Sequence, residues 1–125
     1  MYHIHYLNKI SPKGTALWRD NYQTTDVAED ADAILVRSAN MHEMPLPKKL
    51  LAVSRAGAGV NNIPLTACAE EGIVVFNTPG ANARSVMELA LCGMFLASRD
   101  IVGGINWVQS IKGSSEISRL VEKGK

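Results

Sequence analysis

Three short runs of the chain, Ala33-Ile-Leu-Val-Arg37, Leu50-Leu-Ala-Val-Ser54 and Ile73-Val-Val-Phe76, are apolar without alternating. A strand with one wet face alternates between apolar and polar residues, whereas a strand covered on both faces does not. Covered strands of this kind belong to parallel sheets, in which each strand must be followed by a connection long enough to return to the same end. The intervening segments have helical length, and the clearest, Ile63 to Glu71, is closed by Gly72 in the position that commonly follows a helix. Tyr2 to Leu7 reads as a first strand ending in an Asn-Lys-Ile-Ser-Pro break, after which Pro12 permits a short helix around Thr15 to Trp18. Tyr22 to Thr24 reads as a brief edge strand before the polar stretch Asp26 to Asp32.

This alternation predicts an α/β fold, a doubly wound parallel sheet of flavodoxin-like strand order 2-1-3-4-5 with helices on both faces. Beyond Pro79-Gly80 the pattern changes to one long helix, Ala83 to Arg99, with Asn82 placed to cap it. Val86, Met87, Leu89, Ala90, Leu91, Met94, Phe95, Leu96 and Ala97 leave that helix almost no polar face, so it requires cover. Asp100 to Ser110 and Ser115 to Lys123 read as two further helices. The expected organisation is an α/β domain over residues 1–80, then a long crossover helix and its companions over 81–125.

Of the 125 residues, 46% are apolar and 20% charged, enough to bury a core and too few charges for a disordered chain. Thirteen Lys and Arg face 12 Asp and Glu, and Lys48-Lys49 is the only adjacent basic pair. Nucleic acid is therefore not an expected partner, because phosphate binding depends on several converging cations. Val86 to Ala97, the longest apolar stretch, is broken by Glu88 and Gly93 and is too short for a membrane span. The amino terminus lacks the features of a secretory signal, so a cytoplasmic location is expected. Cys68 and Cys92 have no metal-binding or redox spacing and read as buried free thiols.

Ligands of open α/β sheets bind beyond the carboxyl ends of the strands. Arg37-Ser38 follows one predicted strand, and Arg55 follows the next and leads into Ala56-Gly-Ala-Gly-Val60. If those strands are neighbours, two guanidiniums approach one crevice, and their fixed donor forks suit a carboxylate or phosphate. Gly57 and Gly59 add main chain that an anion can approach closely. A strand-end Arg is also a common solvated charge, and glycines also serve only to turn the chain; the coincidence of both features points to a site for a small anion. Gly57-Ala-Gly59-Val-Asn-Asn62 is not a dinucleotide fingerprint, since Asn62 stands at the third glycine position. Of the three histidines, His3, His5 and His42, the first two lie on one face of the first strand, a spacing more often packed or solvated than metal-bound, and no Asp or Glu is expected at a strand end beside a His. The residues offer anion recognition without an evident catalytic acid, base or nucleophile.

Four segments in order, Ile34-Leu-Val-Arg-Ser38, Val53-Ser-Arg-Ala-Gly-Ala-Gly-Val-Asn-Asn-Ile63, Gly72-Ile-Val-Val-Phe-Asn-Thr-Pro-Gly80 and Asn82-Ala-Arg-Ser-Val-Met-Glu-Leu89, resemble motifs of the D-isomer-specific 2-hydroxyacid dehydrogenases. The resemblance extends over Tyr2 to Ser110 and is nearest to the phosphoglycerate-specific branch. It implies that 1–80 form most of a substrate-binding domain and that 81–125 are interdomain or oligomerisation helices leading to a nucleotide-binding domain. That second domain would carry the glycine fingerprint and the catalytic Arg, Glu and His, none of which lies in the 125 residues. The implied activity is NAD-dependent oxidation of 3-phosphoglycerate to 3-phosphohydroxypyruvate, the opening step of serine biosynthesis, in a homodimer or larger assembly. By motif position, Arg37, Ser38, Arg55, Gly57, Ala58 and Gly59 would contact the anionic substrate, and Ala58 would also touch the nicotinamide end of NAD. One departure is Asn61, where many relatives have Asp. On this reading the chain alone is incomplete for catalysis and is a truncated version, a proteolytic product or a natural partial protein. The alternatives are a stand-alone small-anion-binding or interaction module, or the same segment of an enzyme for another 2-hydroxy acid.

Overall fold

Five strands lie side by side, all parallel, in the order β2-β1-β3-β4-β5. They are β1 (Tyr2–Tyr6), β2 (Tyr22–Thr25), β3 (Ala33–Val36), β4 (Ala52–Arg55) and β5 (Val74–Phe76). The computed structural model that shows this describes residues 1–124. It gives the doubly wound, flavodoxin-like arrangement that the apolar runs predict. Two helices, α1 (Pro12–Thr15) and α2 (Leu65–Glu70), belong to the same unit, Met1–Ala81.

The register decides which side chains meet. Ile34 pairs with Val53 and Val36 with Arg55, so these four share one face of the sheet. Ile34, Val36 and Val53 are fully buried there with Met41, Ile63 and Cys68 of α2. Each such aliphatic side chain contributes roughly 1.5–3 kcal/mol on leaving water. Arg55 continues the buried row of β4 by two residues and emerges at its carboxyl rim. On the opposite face Tyr6, paired with Leu35, packs its ring 5.6 Å from that of Trp18, which in turn lies 6.4 Å from Tyr22.

Several local expectations are corrected. The short first helix spans Pro12–Thr15 rather than Thr15 to Trp18, because Pro12 occupies its first turn. The connection from β3 to β4 contains no helix, since Pro45 and Pro47 lack main-chain donors and disfavour the helical conformation for the residues before them. That from β2 to β3 contains only a single 3₁₀ turn, Ala28–Asp30. Asp32, just before β3, does adjoin a histidine: its Oδ2 accepts from the His3 N–H at 2.7 Å and lies 3.8 Å from His3 Nδ1. This contact sits at the amino end of β3, away from the rim that carries the arginines, and it fastens β1 to the start of β3.

A second unit, Asn82–Lys125, holds α3 (Ala83–Ser98), α4 (Ile101–Ile111) and α5 (Ile117–Gly124). Asn82 makes no side-chain capping bond to α3. Asp100 caps α4 instead: in a left-handed conformation (φ 46°), it accepts from the Gly103 N–H at 3.2 Å. Cys92 on α3 is exposed rather than buried, as are Val86, Leu89, Met94 and Phe95. No helix of the described residues is long and apolar enough to cross a membrane.

Candidate anion site at the carboxyl rim of the sheet

Because β3 and β4 are neighbours with Val36 opposite Arg55, the segments that leave them run side by side. The Arg55 side chain turns back across this junction, and its Nε–H donates to the Arg37 carbonyl at 3.1 Å. Its guanidinium then passes directly over Gly57, so close that a β-carbon on Gly57 would overlap it. Gly57 is not among the described glycines with positive φ, which are Gly72 and Gly80. Its lack of a side chain therefore answers a close approach and not a turn. Gly59 is looser: a β-carbon there would stand 3.8 Å from Arg55 Nη1 and 3.3 Å from Asn61 Oδ1.

The segment after β5 fixes the glycine loop from its other side. Thr78 N–H donates to the Gly57 carbonyl at 3.0 Å, and Asn77 Nδ2 donates to the Ala58 carbonyl at 2.7 Å. A trans peptide is planar, with its C=O and N–H pointing in opposite directions. Holding those two carbonyls toward β5 thus turns the N–H groups of Ala58 and Gly59 away from it. Among the described residues neither N–H has an acceptor, and both residues are exposed. Gly57 N–H, by contrast, is already bonded to the Arg55 carbonyl at 2.9 Å, so the loop offers two amides rather than three.

Arg37 and Ser38 lie just past the end of β3, both exposed. Their main chain is engaged: the N–H groups of Arg37, Ser38 and Ala39 converge on Asn8 Oδ1 at 2.8, 3.0 and 3.1 Å. Among the described residues the Ser38 hydroxyl has no hydrogen-bond partner and the Arg37 guanidinium no ion-pair partner. The structure brings the Arg55 side chain to the Arg37 main chain and places Ala58 and Gly59 beside them. Further bonds lock the two loops together: Met41 N–H to the Asn62 carbonyl at 2.9 Å, Asn62 Nδ2 to the Ala39 carbonyl at 2.8 Å, and His42 Nε2 to the Asn61 carbonyl at 2.9 Å.

Asn8, His42, Asn62, Asn77 and Thr78 were not evident as contributors from the sequence. The available signal was an Asn soon after β1, β3, β4 and β5, since Asn side chains commonly satisfy main-chain groups where a strand gives way to a loop. The assembled rim presents a cationic fork, two outward N–H groups and a free hydroxyl. Donors without acceptors, with one fixed positive charge, suit an oxyanion such as a carboxylate or phosphate. Among the described residues no group of three or more His, Cys, Asp or Glu is placed to hold a metal ion.

The chain also resembles proteins of known family. Residues 5–120 match the family model for the D-isomer specific 2-hydroxyacid dehydrogenase, catalytic domain. Over 101 residues the chain is 41% identical to the D-3-phosphoglycerate dehydrogenase of Methanocaldococcus jannaschii, covering 78% of this chain and 19% of that protein. It is 35% identical over 98 residues to the hydroxypyruvate reductase of Thermotoga maritima, covering 76% of this chain and 32% of that one. Among solved structures, the NAD+-bound 3-phosphoglycerate dehydrogenase of Entamoeba histolytica superimposes with a TM-score of 0.65 at 27% identity, covering 76% of this chain and 38% of that chain. The chain thus spans less than half the length of each of these relatives.

Proposed function

The chain belongs to the D-isomer-specific 2-hydroxyacid dehydrogenases, and from that premise we propose that it forms the substrate-binding part of an NAD-dependent member acting on 3-phosphoglycerate. The observation that carries this reading is the Arg55 guanidinium stretched over Gly57 beside the unpaired N–H groups of Ala58 and Gly59. The two amides and Arg55 would take one anionic group of the substrate. Arg37 and the Ser38 hydroxyl, across the junction, would take the other. The relatives named for phosphoglycerate dehydrogenation favour a substrate with both a carboxylate and a phosphate.

NAD, when bound, supplies the acceptor for the hydride leaving the carbinol carbon of the substrate. The residues here fit contact with its nicotinamide end: Ala58 is exposed at the loop, carries only a methyl group and has its carbonyl held away by Asn77. What this chain contributes is orientation, fixing the substrate by its anionic ends so that its reacting carbon is presented in one pose. Residues 1–80 constitute the substrate-binding domain in this proposal. Residues 81–125, with their exposed apolar side chains on α3, constitute the helices that lead to a nucleotide-binding domain and to a second subunit, in a cytoplasmic enzyme of serine biosynthesis.

The relative named hydroxypyruvate reductase supports a second reading, in which the substrate is a smaller unphosphorylated acid. Calorimetric titration of the chain separates the two. Under the first reading 3-phosphoglycerate binds roughly tenfold or more tightly than D-glycerate, because a second charge-assisted contact adds about 1.5–3 kcal/mol. Equal affinities would refute the phosphorylated substrate and favour the smaller acid.

A further inference from the structure

We propose that Asn8 is the positioning residue for the Arg55 guanidinium. The inference rests on the anion-binding reading for its consequence, but its geometry stands by itself. Three successive N–H groups, those of Arg37, Ser38 and Ala39, point at Asn8 Oδ1. Three donors demand an acceptor, so the orientation of the Asn8 amide follows from its partners. Convergent consecutive amides of this kind form a concavity that ordinarily holds an anion. Here a neutral side chain from the loop after β1 fills it, 29 to 31 residues earlier in the sequence.

The link to Arg55 runs through a single peptide group. Ser38 N–H and the Arg37 carbonyl belong to the same planar unit and point in opposite directions. Asn8 Oδ1 holds the N–H end at 3.0 Å, and the carbonyl end accepts the Arg55 Nε–H at 3.1 Å. Fixing one end of that plane fixes the other, so the acceptor that aims the guanidinium across Gly57 is itself aimed by Asn8. With Asn8 removed, the three amides lose their acceptor, the 37–38 peptide is free to rotate toward water, and the Arg55 fork loses its anchor. The rim then still contains Arg55 but no longer holds it beside the Ala58 and Gly59 amides.

The test compares Asn8→Ala and Asn8→Asp with the unaltered chain by 1H–15N spectroscopy, following exchange of the Arg55 Nε–H, assigned through Arg55→Lys, and titrating inorganic phosphate. In the unaltered chain this proton should exchange roughly tenfold more slowly than that of the unpaired Arg37. Asn8→Ala should bring it to the Arg37 rate and weaken phosphate about fivefold to tenfold. Asn8→Asp, which keeps the acceptor, should retain the slow exchange. Should Asn8→Ala not fold, Asn8→Ser, whose hydroxyl is too short to reach all three amides, makes the same comparison. Slow Arg55 exchange persisting in folded Asn8→Ala or Asn8→Ser overturns the proposal whatever the phosphate titration shows, and so does fast exchange with unaltered phosphate affinity. If Asn8→Ala frees the Arg55 proton while even the unaltered chain ignores phosphate, the positioning stands and the anion-binding reading falls.

Discussion

Replacing Gly57 by Ala separates the two parts a glycine can play in a loop. Since Gly57 has no positive φ, the main chain tolerates a side chain, and the nearest atoms the new methyl group meets are those of the Arg55 guanidinium. That group is the far end of a flexible side chain and moves aside at little cost. The loss is the Nε–H bond to the Arg37 carbonyl, about 1 kcal/mol for a partly solvated hydrogen bond. Against it stands a gain of about 0.4–1 kcal/mol, because alanine has less freedom to lose from the unfolded chain. Global stability, read from urea denaturation, should therefore stay within about 1 kcal/mol of the unaltered chain. Anion binding should respond differently, because a displaced guanidinium forfeits a charge-assisted contact of about 1.5–3 kcal/mol, a tenfold to hundredfold rise in the Kd for 3-phosphoglycerate. Gly59→Ala, whose β-carbon lies at ordinary distance from Arg55 Nη1 and 3.3 Å from the Asn61 oxygen, should change that Kd by less than about threefold. Titration calorimetry on both variants is the assay. A Gly57→Ala chain that binds as before, or that loses about 3 kcal/mol of stability, would show that the guanidinium over Gly57 is not what holds the anion.

Other outcomes follow from the same contacts. Ile34→Ala, in a fully buried position facing Val53, should cost about 2–5 kcal/mol in urea denaturation, and a loss under 1 kcal/mol would contradict the assignment of the core. Asn77→Ala releases the Ala58 carbonyl and should weaken anion binding about threefold to tenfold with little change in stability; unchanged binding would show that the Gly59 amide needs no such restraint. Thiol labelling of the native chain should modify Cys92 quickly and Cys68 only on unfolding. Burial raises the Cys68 thiol and the Tyr6 phenol above their ordinary values, so the folded chain holds these protons more tightly than the unfolded one. Their contribution is complete below the unfolded-state range and is lost as pH rises into and above it, so the urea midpoint should fall from about pH 8 to about pH 11, where a rise would contradict the sign.

Strand positions were legible because burial on both faces of a parallel sheet writes itself as an unbroken apolar run: Ile34 to Val36 and Val53 lie where their composition puts them. Neighbouring β3 and β4 then followed from topology, and with them the proximity of the segments containing Arg37 and Arg55. The connections were less legible. Length alone suggested a helix between β3 and β4, but Pro45 and Pro47 outweigh length, and tertiary contacts through Met41 and Leu50 hold that segment without one. The site's supports, Asn8, Asn62 and Asn77, act over separations of 29, 23 and 19 residues, distances across which no local pattern speaks. Asn82 had the composition of a cap and did not become one, whereas Asp100 did, because capping depends on where the side chain falls relative to the first free N–H groups.

In the proposed site the Ala58 and Gly59 amides and the Arg55 fork together receive an oxyanion at the carboxyl rim of β3 and β4. The decisive experiment titrates the 15N-labelled chain with 3-phosphoglycerate. The Ala58 and Gly59 N–H resonances and the Arg55 Nε–H should shift first and along one binding curve, and Arg55→Gln should abolish the response. Shifts confined to other parts of the chain, or a response indifferent to Arg55→Gln, would rule that site out.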